Sequence, residues 1–263
     1  MPAVEQISAT SARPPRLRWL HAGWRAGLDL LFPPRCVFCD EPHYAPTAAP
    51  LLCPDCRAAL LPLARPTCPR CAMPCPDPDA ATGPCPHCRK EKLTFDEVRT
   101  VGLYHGSLRQ AVLRSKHARH EPLSGVLGEL LAEQVAARPL RETPDLVAPV
   151  SMFWLTRLWR GVNGPETMAA SLARRLGWPL ASDLLVCRRP LQMQSRLPPS
   201  ERRKNVRGAF RVSWRYRLAG ARILVVDDVL TTGATAHETA RALLAAGAGS
   251  VAIAAVARGT GER

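Results

Sequence analysis

The sequence predicts an α/β domain, a parallel sheet flanked by helices, with a small cysteine-rich domain in front of it. Two observations carry this. Residues 223–238 read Ile-Leu-Val-Val-Asp-Asp-Val-Leu-Thr-Thr-Gly-Ala-Thr-Ala-His-Glu, an apolar strand, a tight turn and a helix start, and a second apolar strand, Val251 to Val256, follows. Four consecutive apolar residues, Ile223 to Val226, are the pattern of a strand buried on both faces of a parallel sheet. The second observation is that eight of the ten cysteines form four short pairs before residue 90. At 263 residues, 46% of them hydrophobic, the chain has material for one ample domain plus a small one.

Taken in order, residues 1–15 are polar with scattered prolines and are expected to be disordered. Residues 17–31 set Leu17, Leu20, Trp24, Leu28 and Leu31 at helical spacing, with Arg18, His21, Arg25 and Asp29 between them. That interruption excludes a signal-peptide core or a membrane span and predicts a short amphipathic helix. With no export signal read, a reducing cytoplasm is the expected compartment.

The four pairs are Cys36/Cys39, Cys53/Cys56, Cys68/Cys71 and Cys85/Cys88. Thirteen residues separate the first two pairs and thirteen the last two, so the pattern repeats at a shift of 32. A Cys-x-x-Cys knuckle bends two thiolates onto one metal, and two knuckles complete a tetrahedral zinc site. The repeat assigns Cys36, Cys39, Cys53 and Cys56 to one structural Zn²⁺, and Cys68, Cys71, Cys85 and Cys88 to another; spacing alone leaves a crossed pairing open. In a reducing compartment disulfides are disfavoured, and this segment has too few apolar residues to fold by burial. Cys75 and Cys187 fall outside the repeat and read as spare thiols.

From Phe95 the pattern becomes regular. Val98 to Tyr104 predicts a strand, Ser107 to Lys116 and Ser124 to Ala137 helices, and Leu146 to Val150 a short strand. Between the helices, Arg114-Ser115-Lys116-His117-Ala118-Arg119-His120 is too charged for core and reads as a solvated loop or a flap over an anion. After the loop 149–164, Glu166 to Leu176 predicts a helix and Leu184 to Cys187 a strand. Residues 188–217 then set ten Arg or Lys against one acid, Glu201, and supply nine of the net fourteen positive charges. Phe210, Trp214 and Tyr216 interleave with them. A basic surface with aromatics suits single-stranded DNA, with Arg203, Arg207 and Arg211 as candidate phosphate contacts.

The chemistry of the turn follows from its residue types. Gly233 accepts backbone angles that other residues resist. The N–H groups around it face the start of a helix, and three threonine hydroxyls add donors, so residues 231–235 suit a phosphate dianion. Asp227 and Asp228 lie at the carboxyl edge of the sheet, where open α/β folds bind ligands. Carboxylates so near a phosphate need hydroxyls or a divalent cation to grip, which a sugar phosphate satisfies.

This stretch resembles the 5-phosphoribosyl-1-pyrophosphate (PRPP) motif of type I phosphoribosyltransferases. The resemblance implies that Asp227 and Asp228 hold the ribose hydroxyls, and that Thr231, Thr232, Gly233, Ala234 and Thr235 cradle the 5-phosphate. The ordered set of pieces from Leu31 is similar to the ComF family, phosphoribosyltransferase-like proteins associated with competence and DNA uptake. These pieces are Leu-Phe-Pro-Pro-Arg-Cys at 31–36, Lys116, Pro149-Val150, Arg160-Gly161, Asn163, Gln194, Leu197, Arg202, Asn205-Val206 and Gly208-Ala209-Phe210. The resemblance implies a type I phosphoribosyltransferase fold over residues 95–259 and a double zinc ribbon over 31–91, which leaves the tail and short helix over 1–30 outside it. It also implies PRPP or a nucleoside monophosphate as ligand, Mg²⁺ with PRPP, and contact with the DNA-uptake machinery. Lys116, Arg157 and Arg160 would neutralise the pyrophosphate as it departs, if the chain is a working transferase. The chain departs from the family in one loop, where Ser151, Phe153, Leu155, Thr156, Val162 and Gly164 replace a Pro, a His and a run rich in Arg. That loss weakens the case for turnover more than the case for binding.

Overall fold

A computed structural model describes residues 33–43, 51–61, 66–75, 85–90, 93–161, 163–192 and 197–260. The expected tail 1–15 and amphipathic helix 17–31 lie outside the described residues, as do Val162, Gln194 and the side chain of Arg160. The chain divides into two compact units, residues 1–53 and 54–263.

In the first unit the described chain is a knuckle. Arg35 and Pro42 form an antiparallel bridge. The N–H of Cys36 donates to the Glu41 carbonyl at 3.0 Å, and that of Asp40 to the Cys36 carbonyl at 2.9 Å. Asp40 takes a left-handed φ of 66°.

The second unit opens on α1, Pro54–Leu60, and repeats the knuckle 32 residues on. Thr67 bridges Pro74, Cys68 N–H donates to Met73 O at 2.8 Å and Ala72 N–H to Cys68 O at 2.8 Å, and Ala72 takes φ 55°. A second short helix, α2 (Pro86–Lys90), stands at the same shift from α1. The duplication read from cysteine spacing therefore extends to turn geometry and to the helix that begins within each second pair.

The rest of this unit holds β1 (Glu97–Leu103), α3 (Gly106–Arg114), a 3-10 turn (Ala118–His120), α4 (Glu121–Ala137) and β2 (Leu146–Pro149). There follow α5 (Trp154–Arg160), α6 (Gly164–Leu176), β3 (Leu185–Cys187), α7 (Pro199–Val206), β4 (Phe210–Val212), β5 (Arg222–Leu230), α8 (Ala234–Ala245) and β6 (Ser250–Arg258). The strands β1, β6, β5 and β2 lie in that order in one sheet, and every pair is parallel. A separate antiparallel pair joins β3 to β4. Helices α4 and α6 pack together against the sheet, and α8 packs against β5, β6 and β4.

The apolar run of β5 is buried on both sides: Ile223 to Val226 are at most 1% exposed. Ile223 and Val225 join Ala236, Ala240 and Leu243 of α8 in one core cluster. Helices α4 and α6 meet closely enough that a Cβ on Gly128 would stand 2.4 Å from the Met168 carbonyl oxygen. Two expectations need correction. The central strand runs four residues beyond Val226, through both aspartates to Leu230, because β6 is equally long and keeps pairing as far as Leu230 with Arg258. The loop 149–164 also contains a helix, α5, which begins after the turn at Phe153 and stops at Gly161 in a left-handed φ of 74°.

Candidate functional site

Asp227 and Asp228 lie within the last four residues of β5, and their backbone stays in register with β6 through Asp227 opposite Ala255. Successive strand residues point to opposite faces. Asp228 reaches Lys116, whose Nζ lies 2.8 Å from its Oδ2. The N–H of Asp228 donates to Asp227 Oδ1 at 2.8 Å, fixing the other carboxyl beside its own strand. Lys116 follows α3 on a short turn, not on a free flap. Its neighbour Ser115 is buried, donates from Oγ to Val112 O at 2.9 Å, and accepts at its carbonyl from Ser124 Oγ at 3.3 Å.

The electrostatics divide the dyad. Burial raises the Asp227 pKa well above the ordinary 3.8, and the neighbouring Asp228 charge raises it further. Burial pushes Asp228 in the same direction, but the Lys116 ammonium outweighs it and holds that carboxyl below the ordinary range. Burial opposes charge on Lys116 too, and the two aspartates more than restore it, raising its pKa. Asp227 therefore holds a proton more tightly than Asp228, whose carboxylate faces Lys116.

Three residues on, Thr231 and Thr232 bend into Gly233, which takes φ 75° at the start of α8. A Cβ there would find its nearest atoms, on Leu93 and Phe95, 3.9 Å away, so the glycine answers a backbone demand and not a shortage of space. Thr232 Oγ1 accepts from the Ala234 N–H at 3.4 Å, and His237 N–H closes the first helical turn on the Gly233 carbonyl at 2.7 Å. The remaining N–H groups of this helix start are the donors that a phosphate would use.

Other expected residues are held elsewhere. Arg157 pairs with Glu166 at 3.0 Å and is half-exposed, so its partner is a neighbouring helix and not the dyad. Among the described residues, two buried polar atoms lack a hydrogen-bond partner, Ser151 Oγ and Asn163 Oδ1, and both belong to the loop 149–164. Asn205 closes its loop by exchanging two bonds with the Gln192 backbone, at 3.2 and 3.0 Å, and Arg202 Nε donates to Leu197 O at 3.2 Å. Gly208 N–H donates to Glu238 Oε1 at 2.6 Å, tying this loop to α8. Arg203, Arg207 and Arg211 are exposed on α7, its end and β4. Trp214 is 83% exposed, with the Arg215 guanidinium 6.0 Å from its ring centre. Tyr216 is tied through its hydroxyl to Asp183 at 2.5 Å.

The cysteines gather in two groups, Cys36, Cys39, Cys53 with Cys56, and Cys68, Cys71, Cys85 with Cys88, with all sulfurs of a group within 4.8 Å of one another. The uncrossed pairing is therefore the one present. A tetrahedron of sulfurs about 2.3 Å from zinc has edges of about 3.8 Å. Sulfur separations of 3.5 Å for Cys71–Cys85, 3.7 Å for Cys68–Cys88 and 3.9 Å for Cys39–Cys53 fit that edge. Burial opposes the thiolate of Cys68, but the N–H groups of Cys71 and Arg70 outweigh it and bring its pKa down to about 7. Burial likewise opposes Cys36, which the N–H groups of Cys39, Cys53 and Phe38 bring to about 6. Four thiols so placed suit structural Zn²⁺ in each group.

One residue of the site region escaped the sequence reading. Arg258 ends β6 and is 2% exposed, yet its guanidinium donates to Leu230 O and Cys71 O, both at 2.7 Å, to Gly259 O at 2.6 Å, and to Thr231 O. The signal was an arginine closing the apolar run Val251 to Ala257.

The comparisons agree with this architecture. Residues 27–91 match a double zinc ribbon domain and residues 163–263 a phosphoribosyl transferase domain. The fold is thus that of a phosphoribosyltransferase-type domain carrying a double zinc ribbon. The DNA utilization protein YhgH of Salmonella typhimurium is 32% identical over 156 residues, 58% of this chain and 67% of that protein. Competence protein F of Haemophilus influenzae is 26% identical over 179 residues, 64% of this chain and 76% of that protein. The chain belongs to the ComF family, which these relatives represent. Among solved structures, the Bacillus subtilis glutamine PRPP amidotransferase complexed with ADP and GMP is 23% identical over 49% of this chain and 25% of its own, at TM-score 0.34. Among the described residues no helix is long and apolar enough to cross a membrane.

Proposed function

We propose that the chain binds PRPP, or a nucleoside monophosphate with the same ribose 5-phosphate, at the strand end and turn formed by Asp227, Asp228 and residues 231–235. The observation that carries this reading is the Lys116–Asp228 pair at 2.8 Å beside a left-handed turn that opens α8. The turn offers N–H donors to a phosphate, and the dyad just before it on the chain offers acceptors to ribose hydroxyls. Mg²⁺ arriving with PRPP would spread the charge of the leaving group. Lys116 is placed to exchange Asp228 for a ligand oxygen. Ser151 Oγ and Asn163 Oδ1, both unsatisfied, stand in the loop 149–164, which the resemblance to type I phosphoribosyltransferases implies would face the pyrophosphate. As a phosphoribosyltransferase the chain would pass the sugar to a nitrogen base, within the cytoplasm, in nucleotide metabolism or in handling incoming DNA. The names of its relatives favour DNA utilisation and competence.

The test is calorimetry with PRPP and ribose 5-phosphate on the full chain. Asp227→Asn combined with Asp228→Asn is expected to abolish binding with the fold intact, and Thr232→Val to weaken it less, because the backbone donors survive. Unchanged affinity in the double variant would overturn the reading. Release of pyrophosphate on adding a panel of bases would establish turnover.

A second reading has its own observation. Arg203, Arg207 and Arg211 are each exposed, as is Trp214, which is free of the carboxylate that holds Tyr216. Such a surface fits single-stranded DNA, with the tryptophan stacking on a base and the arginines on phosphates. Affinity is then expected to fall steeply with salt and depend little on sequence. Changing all three arginines to Glu is expected to abolish DNA binding at low salt while PRPP binding persists; retained DNA binding would move the contact elsewhere.

A further inference from the structure

Arg258 is the most heavily bonded buried charge of the second unit, and its partners divide into two sets. On one side are the carbonyls of Leu230, Thr231 and Gly259, which form the base of the turn 231–235. On the other are the Cys71 carbonyl, within a knuckle of the second cysteine group, and His87 of α2, whose Nε2 lies 3.3 Å from Nη2. Among the described residues no carboxylate pairs with this guanidinium. A buried cation without a counter-charge is costly.

The nearest source of negative charge is the cysteine group itself. The guanidinium reaches that group directly, through its 2.7 Å bond to the Cys71 carbonyl. A neutral thiol offers it no counter-charge. Four thiolates around Zn²⁺ carry a net charge of about −2, because metal binding expels the thiol protons. Loading the second group therefore creates the counter-charge that a buried Arg258 needs. The same guanidinium then holds three carbonyls at the base of the turn.

We propose that Arg258 is a positioning residue through which zinc in the second cysteine group sets the order of the turn 231–235. Its effect on ligand rests on the ribose 5-phosphate site proposed above; its effect on the turn does not. The first group, Cys36, Cys39, Cys53 and Cys56, has no such role. Coupling between sites is reciprocal, so a sugar phosphate in the turn raises the zinc affinity of the second group by the factor by which zinc raises the affinity for the sugar phosphate.

Amide hydrogen exchange on the full chain tests this, with ribose 5-phosphate affinity measured beside it. Cys85→Ser with Cys88→Ser is expected to speed exchange of the amides from Thr232 to His237 about tenfold, and to weaken ribose 5-phosphate by a similar factor. Cys36→Ser with Cys39→Ser is expected to do neither. Arg258→Met, with zinc present, is expected to loosen the turn as the second-group variant does. Arg258→Lys is expected to keep the zinc affinity, measured by chelator competition, but not the turn's protection, since an ammonium supplies charge without the planar fork that spans both sides. Turn exchange that ignores the second group would overturn the proposal. So would loosening that spreads equally through α4 and α6, because that is general unfolding. If the turn responds but the wild-type chain binds no ribose 5-phosphate, the link stands and the ligand reading falls. If ribose 5-phosphate binds all the cysteine variants alike and the turn does not respond, the reverse holds.

Discussion

The two aspartates of β5 are adjacent in sequence and opposite in electrostatic state, and their pH dependence runs in opposite directions. Asp227 has a folded pKa raised above 3.8 by burial and by Asp228. Its contribution to stability is full below that ordinary value and is lost as pH rises through the folded pKa. Asp228 has a folded pKa lowered by Lys116 against the effect of burial. Its contribution is present above the ordinary value and is lost as pH falls through the folded pKa. Asp227→Asn is therefore expected to gain on the wild type as pH rises from about 4 through neutrality, while Asp228→Asn costs most near neutrality and least in acid. Thermal melts across that range check both, and parallel pH profiles for wild type and Asp227→Asn would mean that Asp227 titrates as an ordinary surface carboxyl.

At the scale of elements, the turn into α8 stores a single conformational demand. Gly233→Ala places a Cβ in open space, 3.9 Å from its neighbours, but in a left-handed conformation that costs about 1–2 kcal/mol. Urea denaturation is expected to read a loss of that size, and a neutral result would mean that the turn shifts to a right-handed form. This element was legible in the sequence because its parts are local: unbroken apolar residues, a glycine, a run of helix formers. The length of β5 was not, because strand ends are set by the partner strand, and β6 lies over twenty residues away. Helix α5 was illegible for a different reason. Trp154, Leu155, Leu158 and Trp159 lie along one side of it, yet Leu158 is 74% and Trp159 89% exposed, so its apolar pattern does not mark a face turned to the core. The dyad and the turn could be named from type and spacing, whereas the pairing of Arg157 with Glu166 depended on a helix that the sequence did not announce.

For the whole molecule, the duplication of residues 36–56 at 68–88 is expected to bring two zinc ions per chain, counted by elemental analysis of protein purified without chelator. One ion would mean that a single group is competent, and none in a folded sample would overturn the ribbon assignment. The repeat was readable because cysteine spacing survives loss of everything between; the surroundings of Arg258 were not, because four of its five partners are backbone carbonyls that any sequence would supply.

The second knuckle also does something for the sheet. β1 is an edge strand of the order β1, β6, β5, β2, and on its open side the Val98 N–H donates to the Pro69 carbonyl at 2.9 Å. Pro69 lies between Cys68 and Cys71, so the loop that wraps the metal is also the loop that covers the sheet's margin. An uncovered strand edge recruits strands from other chains. A copy of the protein without zinc in this group is expected to bare that edge and to associate with its neighbours, which light scattering before and after chelation would read.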